Sequence, residues 1–229
     1  MDSTRKSAIA AGVLLLLAWA GGVLNVIAVH PILDVPNYLD TVLARGGRYT
    51  LGILCELVMS FSGAGVALAM YPVLRRFDEG LAIGSVGFRL LEAVAWMVDV
   101  ALLLLISTLS RASHLPGAGD SQTFLAMGSL VLDARFGLDI CAFSAFIIGA
   151  FMYYLVLFRA RLIPVWLSSW GLVGAPLWLG ATLLSMFRCM ELYSTTQTLL
   201  FVPIALQELV MALWLILRGF DPGRTTGRA

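Results

Sequence analysis

LAIGSVGFRLLEAVAWMVDVALLLLISTL, residues 81–109, is apolar over a length that crosses a bilayer, yet it carries three charged residues. A transmembrane helix needs about 20 predominantly apolar residues, so the stretch predicts a membrane span. At about 100° per residue, Arg89, Glu92 and Asp99 fall within an arc of roughly 80° on that helix. Charged groups inside a bilayer are costly and usually face protein or water, so this helix should turn a polar face inward.

Five further apolar runs accompany this one, at residues 8–29, 50–74, 136–158, 165–187 and 199–217. The chain of 229 residues is 60% hydrophobic and 13% charged, and its mean hydropathy is +0.92. A soluble domain carries about 25% charged residues. No run alternates as a barrel strand would, so helices are the expected form. The sequence predicts an all-α polytopic protein, a bundle of six transmembrane helices forming a single membrane-embedded domain over residues 1–229.

The basic residues predict the orientation of this bundle. We expect the run at residues 8–29 to remain as a membrane helix, because it is too long for the apolar core of a signal peptide. Nine basic residues then fall on one side of the membrane: Arg5, Lys6, Arg75, Arg76, Arg159, Arg161, Arg218, Arg224 and Arg228. Five fall on the other side: Arg45, Arg48, Arg111, Arg135 and Arg188. The richer side should be cytoplasmic, which places both termini inside and the protein in the cell membrane.

Several classes of protein are disfavoured by the sequence. A net charge of +1 argues against nucleic acid as a partner. There is no GxSxG, HExxH or Walker motif, and no histidine lies within a span, so a zinc hydrolase is not expected and no metal ligand is assigned. The three cysteines form no CxxC pair. Tyr71, Tyr153 and Tyr154 are interpreted as interfacial aromatic residues, and no cofactor can be assigned.

The charged residues inside the spans are the candidate ligand-binding residues. They are Glu56, Arg89, Glu92, Asp99, Asp139 and Glu208. Helices that descend from the outer side each carry one carboxylate in their outer half, at similar depths. We therefore expect Glu56, Asp99 and Glu208 to line an outward-facing polar cavity with Asp139 at its mouth. Arg89 and Glu92 are three residues apart, the spacing at which helical side chains meet, and are expected to form an inner barrier or a coupling pair.

A structural interpretation of the same residues stays open. Arg89 and Glu92 could neutralise each other and fix the register of the bundle, and each acid could be satisfied singly by a backbone carbonyl. If two acids share a proton or a cation, they suit a proton relay, a cationic ligand or a hard metal ion.

Four short motifs resemble an uncharacterised bacterial family of six-helix integral membrane proteins, domain of unknown function 4386. These are STRK at residues 3–6, FRLLEA at 88–93, LIP at 162–164 and WG at 170–171. The resemblance covers nearly the whole length and implies the six-span layout. It implies no established activity.

The favoured hypothesis is therefore a membrane protein that binds or translocates a small molecule or ion through an outward-facing polar cavity. Its partners would be membrane lipids and a small-molecule or cationic ligand; the sequence does not indicate an oligomeric state. The alternatives are a non-catalytic sensor or accessory membrane protein and an intramembrane enzyme that modifies lipids, with enzymatic activity the less favoured interpretation.

Overall fold

The computed structural model describes residues 3–117, 119–192, 194–221 and 223. Two of the basic residues counted for orientation, Arg224 and Arg228, lie outside the described residues. In the described part of the chain every regular element is an α-helix, and six of the helices are long and apolar enough to cross a membrane. The predicted fold class is confirmed. The helices are α1 (Ser3–Leu33), α2 (Tyr38–Ala44), α3 (Gly46–Leu74), α4 (Glu79–Ala112), α5 (Ser121–Ala160), α6 (Val165–Met186) and α7 (Thr195–Leu217).

The largest departure from the predicted spans is at α5. This helix begins at Ser121, whereas the apolar run begins at residue 136, and it contains 40 residues. At 1.5 Å per residue it is about 60 Å long, roughly twice the ~30 Å hydrocarbon core of a bilayer. The extra turns are polar enough to lie beyond the hydrocarbon. The predicted span at residues 136–158 left Arg135 outside the helix, and this is wrong, because the residue lies well inside α5.

The six long helices form a closed ring in chain order. Each packs against its neighbours in the sequence α1, α3, α4, α5, α6, α7, and α7 returns to α1. Arg5 helps to close this ring, since its guanidinium donates to the carbonyl oxygens of Leu215 and Ile216 at 3.1 Å and 2.6 Å. These carbonyls belong to the last turn of α7, whose acceptors have no partner within the helix.

Small residues allow the ring helices to approach closely. A side chain at Gly21 would meet the carbonyl of Cys55, and one at Gly52 would meet Val29, so both glycines sit where α1 presses on α3. Side-chain hydroxyls then join α3 to α4. Tyr49 donates to the carbonyl of Leu103 at 3.0 Å, and Ser60 donates to the carbonyl of Ala93 at 2.9 Å.

The two ends of the ring differ. We call the end at which α1 begins and α7 ends the terminal end, and the opposite end the loop end. The short helix α2, which the apolar pattern did not predict, packs across the loop end against α4 and α1. Two hydrogen bonds attach it there: Tyr38 donates to the carbonyl of Leu125 at 3.1 Å, and Ser110 donates to the carbonyl of Leu39 at 2.5 Å.

Candidate functional site: two buried polar clusters in the helix ring

The charged residues predicted from the sequence fall into two clusters inside the ring. The loop-end cluster comprises Asn25, Glu56, Asp99, Arg135 and Asp139. The terminal-end cluster comprises Arg89, Glu92, Tyr153, Tyr154, Gln207 and Glu208. The expected grouping of Glu208 with Glu56 and Asp99 is wrong. The carboxyl group of Glu208 lies with Arg89 and Tyr153, because α7 crosses that level of the ring in its terminal half.

The loop-end cluster is built around one ion pair. Arg135 of α5 donates from Nε to Oδ1 of Asp99 at 2.8 Å and from Nη2 to Oδ2 at 2.7 Å. Asp99 is fully buried, and the side chain of Arg135 is 17% exposed. This bidentate geometry is the strongest arrangement available to an arginine and a carboxylate, and it fixes α4 relative to α5.

A second carboxyl group lies against this ion pair. Glu56 of α3 is buried and adjacent to the carboxyl group of Asp99. Its Oε2 accepts a hydrogen bond from Asn25 of α1 at 2.9 Å, while Oε1 receives none from the described residues. Asp139 is also buried and interacts electrostatically with Glu56 and Arg135. Helices α1, α3, α4 and α5 therefore all contribute to one polar centre.

A cavity leads to this centre from the loop end. Its volume is about 180 Å³, and it lies between α1 and α5. Polar and charged side chains supply much of its lining: Asn25, His30, Asp34, Arg135 and Asp139. Three members of the loop-end cluster thus line the cavity, while Glu56 and Asp99 are not among its lining residues.

The terminal-end cluster contains the predicted pair on α4. Nη1 of Arg89 lies 3.0 Å from Oε2 of Glu92, and both residues are buried. Arg89 also donates from Nε to the carbonyl of Gly63 at 3.3 Å, and its guanidinium packs over the ring of Phe146 at 4.9 Å. A methyl group at Gly63 would lie 2.9 Å from Nη2 of Arg89, so this glycine leaves the space that the guanidinium occupies.

Two tyrosines complete the terminal-end cluster. Tyr153 and Tyr154 are almost fully buried, so their interpretation as interfacial residues is wrong. Tyr153 donates to Oε1 of Glu208 at 3.3 Å, and Tyr154 donates to Oε1 of Gln207 at 2.5 Å. Gln207 in turn donates to the carbonyl of Leu167 at 3.1 Å. These bonds cross the interior of the ring and tie α5, α6 and α7 together.

An aromatic layer lies between the two clusters. Trp96 is one helical turn from Asp99 on one side and one turn from Glu92 on the other. Its ring contacts Phe143 edge-on at 5.5 Å, Phe143 contacts Trp178 at 5.3 Å, and Trp178 contacts Phe201 at 4.8 Å. The row runs from α4 through α5 and α6 to α7. It separates the cavity side of the ring from the terminal-end cluster.

The charges of the two clusters do not balance. Together they contain five carboxyl groups and two guanidinium groups. Unpaired charge is expensive in an apolar bundle, so the excess acids require protons or bound cations. Within the described residues no three His, Cys, Asp or Glu side chains come close enough together to hold a metal ion.

Sequence reasoning missed Arg135, Tyr153 and Tyr154 as members of these clusters. One signal was present for the arginine: Arg135 and Asp139 are four residues apart, a spacing that places them on the same face of one helix. For the tyrosines the sequence gave no such signal, since an aromatic residue near the end of a span is equally typical of the membrane interface.

In the described residues, seven helices, six of them apolar enough to span a membrane, surround buried charges and define a multi-pass α-helical membrane protein. No curated protein and no solved structure matches the chain. The chain belongs to the family described as "Domain of unknown function (DUF4386)", whose model matches residues 10–219. The family expected from the four motifs is thus confirmed.

Proposed function

We propose that this protein binds a proton or a small cation at the loop-end cluster and transfers it through the helix ring. The observation that carries this proposal is that Glu56 is buried beside the ion pair of Arg135 and Asp99, while its Oε1 receives no hydrogen bond from the described residues. Arg135 neutralises only one of these two carboxyl groups. A buried carboxylate without a counter-charge of its own is costly, so Glu56 is expected to hold a proton or a bound cation.

The surroundings of this pair support a transfer role. The cavity of about 180 Å³ gives access from the loop end through Asn25, Arg135 and Asp139. Asp99 and Glu92 are two helical turns apart on α4, roughly 10 Å at 1.5 Å per residue. Trp96 occupies the intervening turn, so transfer to the terminal-end cluster requires water or movement of the aromatic layer. Arg89, Glu92 and Glu208 then form the inner barrier, at which the cation changes partner.

The same proposal includes an orientation. The greater number of basic residues at the terminal end supports a cytoplasmic position for that end and an outer position for the loop end. The cavity would then open outward, and the transferred proton or cation would enter from the exterior.

Proton flux in reconstituted vesicles tests this function. The full chain is placed in proteoliposomes that contain a pH-sensitive dye, and a potassium diffusion potential is imposed. We expect protein-dependent proton uptake that Glu56→Gln abolishes and Asp133→Asn leaves intact, because Asp133 is an exposed carboxylate on α5. Uptake of labelled sodium in parallel separates cation from proton transfer. A folded wild-type protein that carries neither ion would refute the proposal.

A second candidate is a non-catalytic accessory or sensor protein in which the charges specify packing. The observation that favours it is that Asp99 pairs with Arg135 between two helices and that Arg89 pairs with Glu92 within one helix. Such pairs can set the register of a bundle without any ligand. Under this function, Glu56→Gln would change only the stability of the protein.

A further inference from the structure

A second cavity lies at the terminal end, away from both polar clusters. Its volume is about 440 Å³, and it lies between the turn that joins α5 to α6 and the residues that follow α7. Trp214 and the buried Phe220 supply apolar surface, while Arg161 and Arg218 supply positive charge. Volumes of this order are typical of small-ligand sites.

The two arginines are available to a ligand. Both are exposed, and neither guanidinium pairs with or donates to another residue in the described part of the chain. Arg161 ends α5 in a left-handed conformation with φ 51°, which turns the chain directly into the cavity wall. Arg218 follows the last residue of α7. Planar guanidinium groups bind phosphate oxygens through paired hydrogen bonds, so two of them around one cavity favour a phosphate group.

The backbone of α6 adds to this positive potential. Val165, the first residue of that 22-residue helix, also lines the cavity. The first amide groups of a helix lack acceptors within the helix, and the helix dipole makes this end positive. Phosphate groups bind at such helix ends.

One carboxylate belongs to the same cavity. Asp221 lines it, and the backbone N–H of this residue donates to the carbonyl of Leu162 at 2.9 Å, which holds the segment after α7 against the α5–α6 turn. The cavity thus combines two cations, a helix start and one anion. That pattern complements a head group that joins a phosphate to an ammonium group.

The position of the cavity at the ends of the spans indicates that this head group belongs to a membrane lipid. Around the cavity, α5 ends at Ala160, α6 begins at Val165 and α7 ends at Leu217. Trp214, which lines the cavity, lies one turn from the end of α7. Tryptophan and arginine at the ends of spans lie at the level of lipid head groups. We propose that this cavity binds the phosphoethanolamine head group of a membrane phospholipid, with the phosphate on Arg161 and Arg218 and the ammonium group near Asp221.

Native mass spectrometry of the detergent-purified full chain tests this site. Phosphatidylethanolamine, phosphatidylglycerol and phosphatidylcholine with identical acyl chains are added one at a time. We expect Arg161→Gln with Arg218→Gln to lower retention of phosphatidylethanolamine at least about tenfold, the loss of about one charged hydrogen bond. The matched control is Arg76→Gln, an exposed arginine at the same end that does not line the cavity. Equal retention by the double variant and the control would overturn the proposal.

Two further measurements separate the parts of the inference. Asp221→Asn should remove the preference for phosphatidylethanolamine over phosphatidylglycerol, and an unchanged preference would refute the ammonium assignment. Inorganic phosphate at millimolar concentration is added as a separate ligand. If its binding depends on the two arginines while lipid retention does not, the site takes free phosphate and the lipid assignment is wrong.

Discussion

Arg135 holds both carboxylate oxygens of Asp99, at 2.8 Å and 2.7 Å, although 36 residues separate them in the chain. This contact joins α4 to α5 in the middle of an apolar bundle. The loop-end cluster has three carboxyl groups and one guanidinium group. Because Arg135 pairs with Asp99, the adjacent Glu56 has no arginine partner of its own.

The first prediction concerns the energy of this pair. Asp99→Asn should lower the stability by about 1.5–3 kcal/mol, because it removes the charged hydrogen bonds to Arg135, whose guanidinium keeps Glu56 and Asp139 as nearby counter-charges. Arg135→Gln alone and the double variant Asp99→Asn with Arg135→Gln complete a double-mutant cycle, which should give a coupling free energy of about 1.5–3 kcal/mol between the two residues. Thermal unfolding in detergent measures all three variants. Strict additivity of the two single changes would show that the residues do not interact.

The second prediction concerns Gly63. Gly63→Ala should destabilise the protein by about 1–3 kcal/mol, because the added methyl group overlaps the guanidinium of Arg89. Gly87→Ala is the matched control: this glycine lies in α4 with open space around it. Alanine is preferred to glycine inside a helix, so the control should be neutral or stabilising by about 0.5–1 kcal/mol. The melting temperatures of the two variants are compared in the same detergent. Equal shifts would contradict the close packing of Gly63 against the guanidinium of Arg89.

The third prediction concerns the buried hydrogen bond between Tyr154 and Gln207. Tyr154→Phe leaves Oε1 of the glutamine without its donor, which should cost about 1–3 kcal/mol. Tyr71→Phe serves as the control, because Tyr71 is only partly buried and its hydroxyl makes no hydrogen bond to the described residues. It should change stability by no more than about 0.5 kcal/mol. Chemical denaturation, monitored by tryptophan fluorescence, compares the stability of the two variants. If Tyr154→Phe left the stability unchanged, the hydrogen bond to Gln207 would not contribute to it.

The fourth prediction tests the proposed orientation. Cys189 is exposed just beyond α6 at the loop end, whereas Cys55 and Cys141 lie within spans. A maleimide that cannot cross membranes should label Cys189 in intact cells, because thiolates form in water and not in hydrocarbon. Cys189→Ser should abolish the signal. Labelling that appears only after the cells are permeabilised would place the loop end inside and reverse the topology.

Much of the fold could be predicted because burial in a bilayer constrains local composition. The run at residues 81–109 is apolar along its whole length, and α4 contains all of it. The start of α5 could not be predicted in the same way. Residues 121–135 include polar side chains that a helix tolerates once it extends beyond the hydrocarbon, so hydropathy alone does not mark where that helix begins.

The site was predicted less completely than the spans. Arg89 and Glu92 are neighbours on one helix, so the helical repeat alone places them together, and the structure joins them at 3.0 Å. Counting residues from the outer end of each span places Asp99 and Glu208 at similar depths in the membrane. Such a count does not determine which side chains face each other across the interior. In the ring, α4 brings Asp99 beside α5, while α7 presents Glu208 to Tyr153.

The sequence by itself determined that this protein is a bundle of six membrane helices with charged residues facing its interior. Both conclusions follow from the free-energy cost of exposing backbone or charge to hydrocarbon, which acts on each segment separately. Only the tertiary structure decided which charges are partners. Partnership depends on the rotation and vertical offset of packed helices, and these are set by small residues such as Gly63 and by contacts between distant segments such as Asp99 with Arg135.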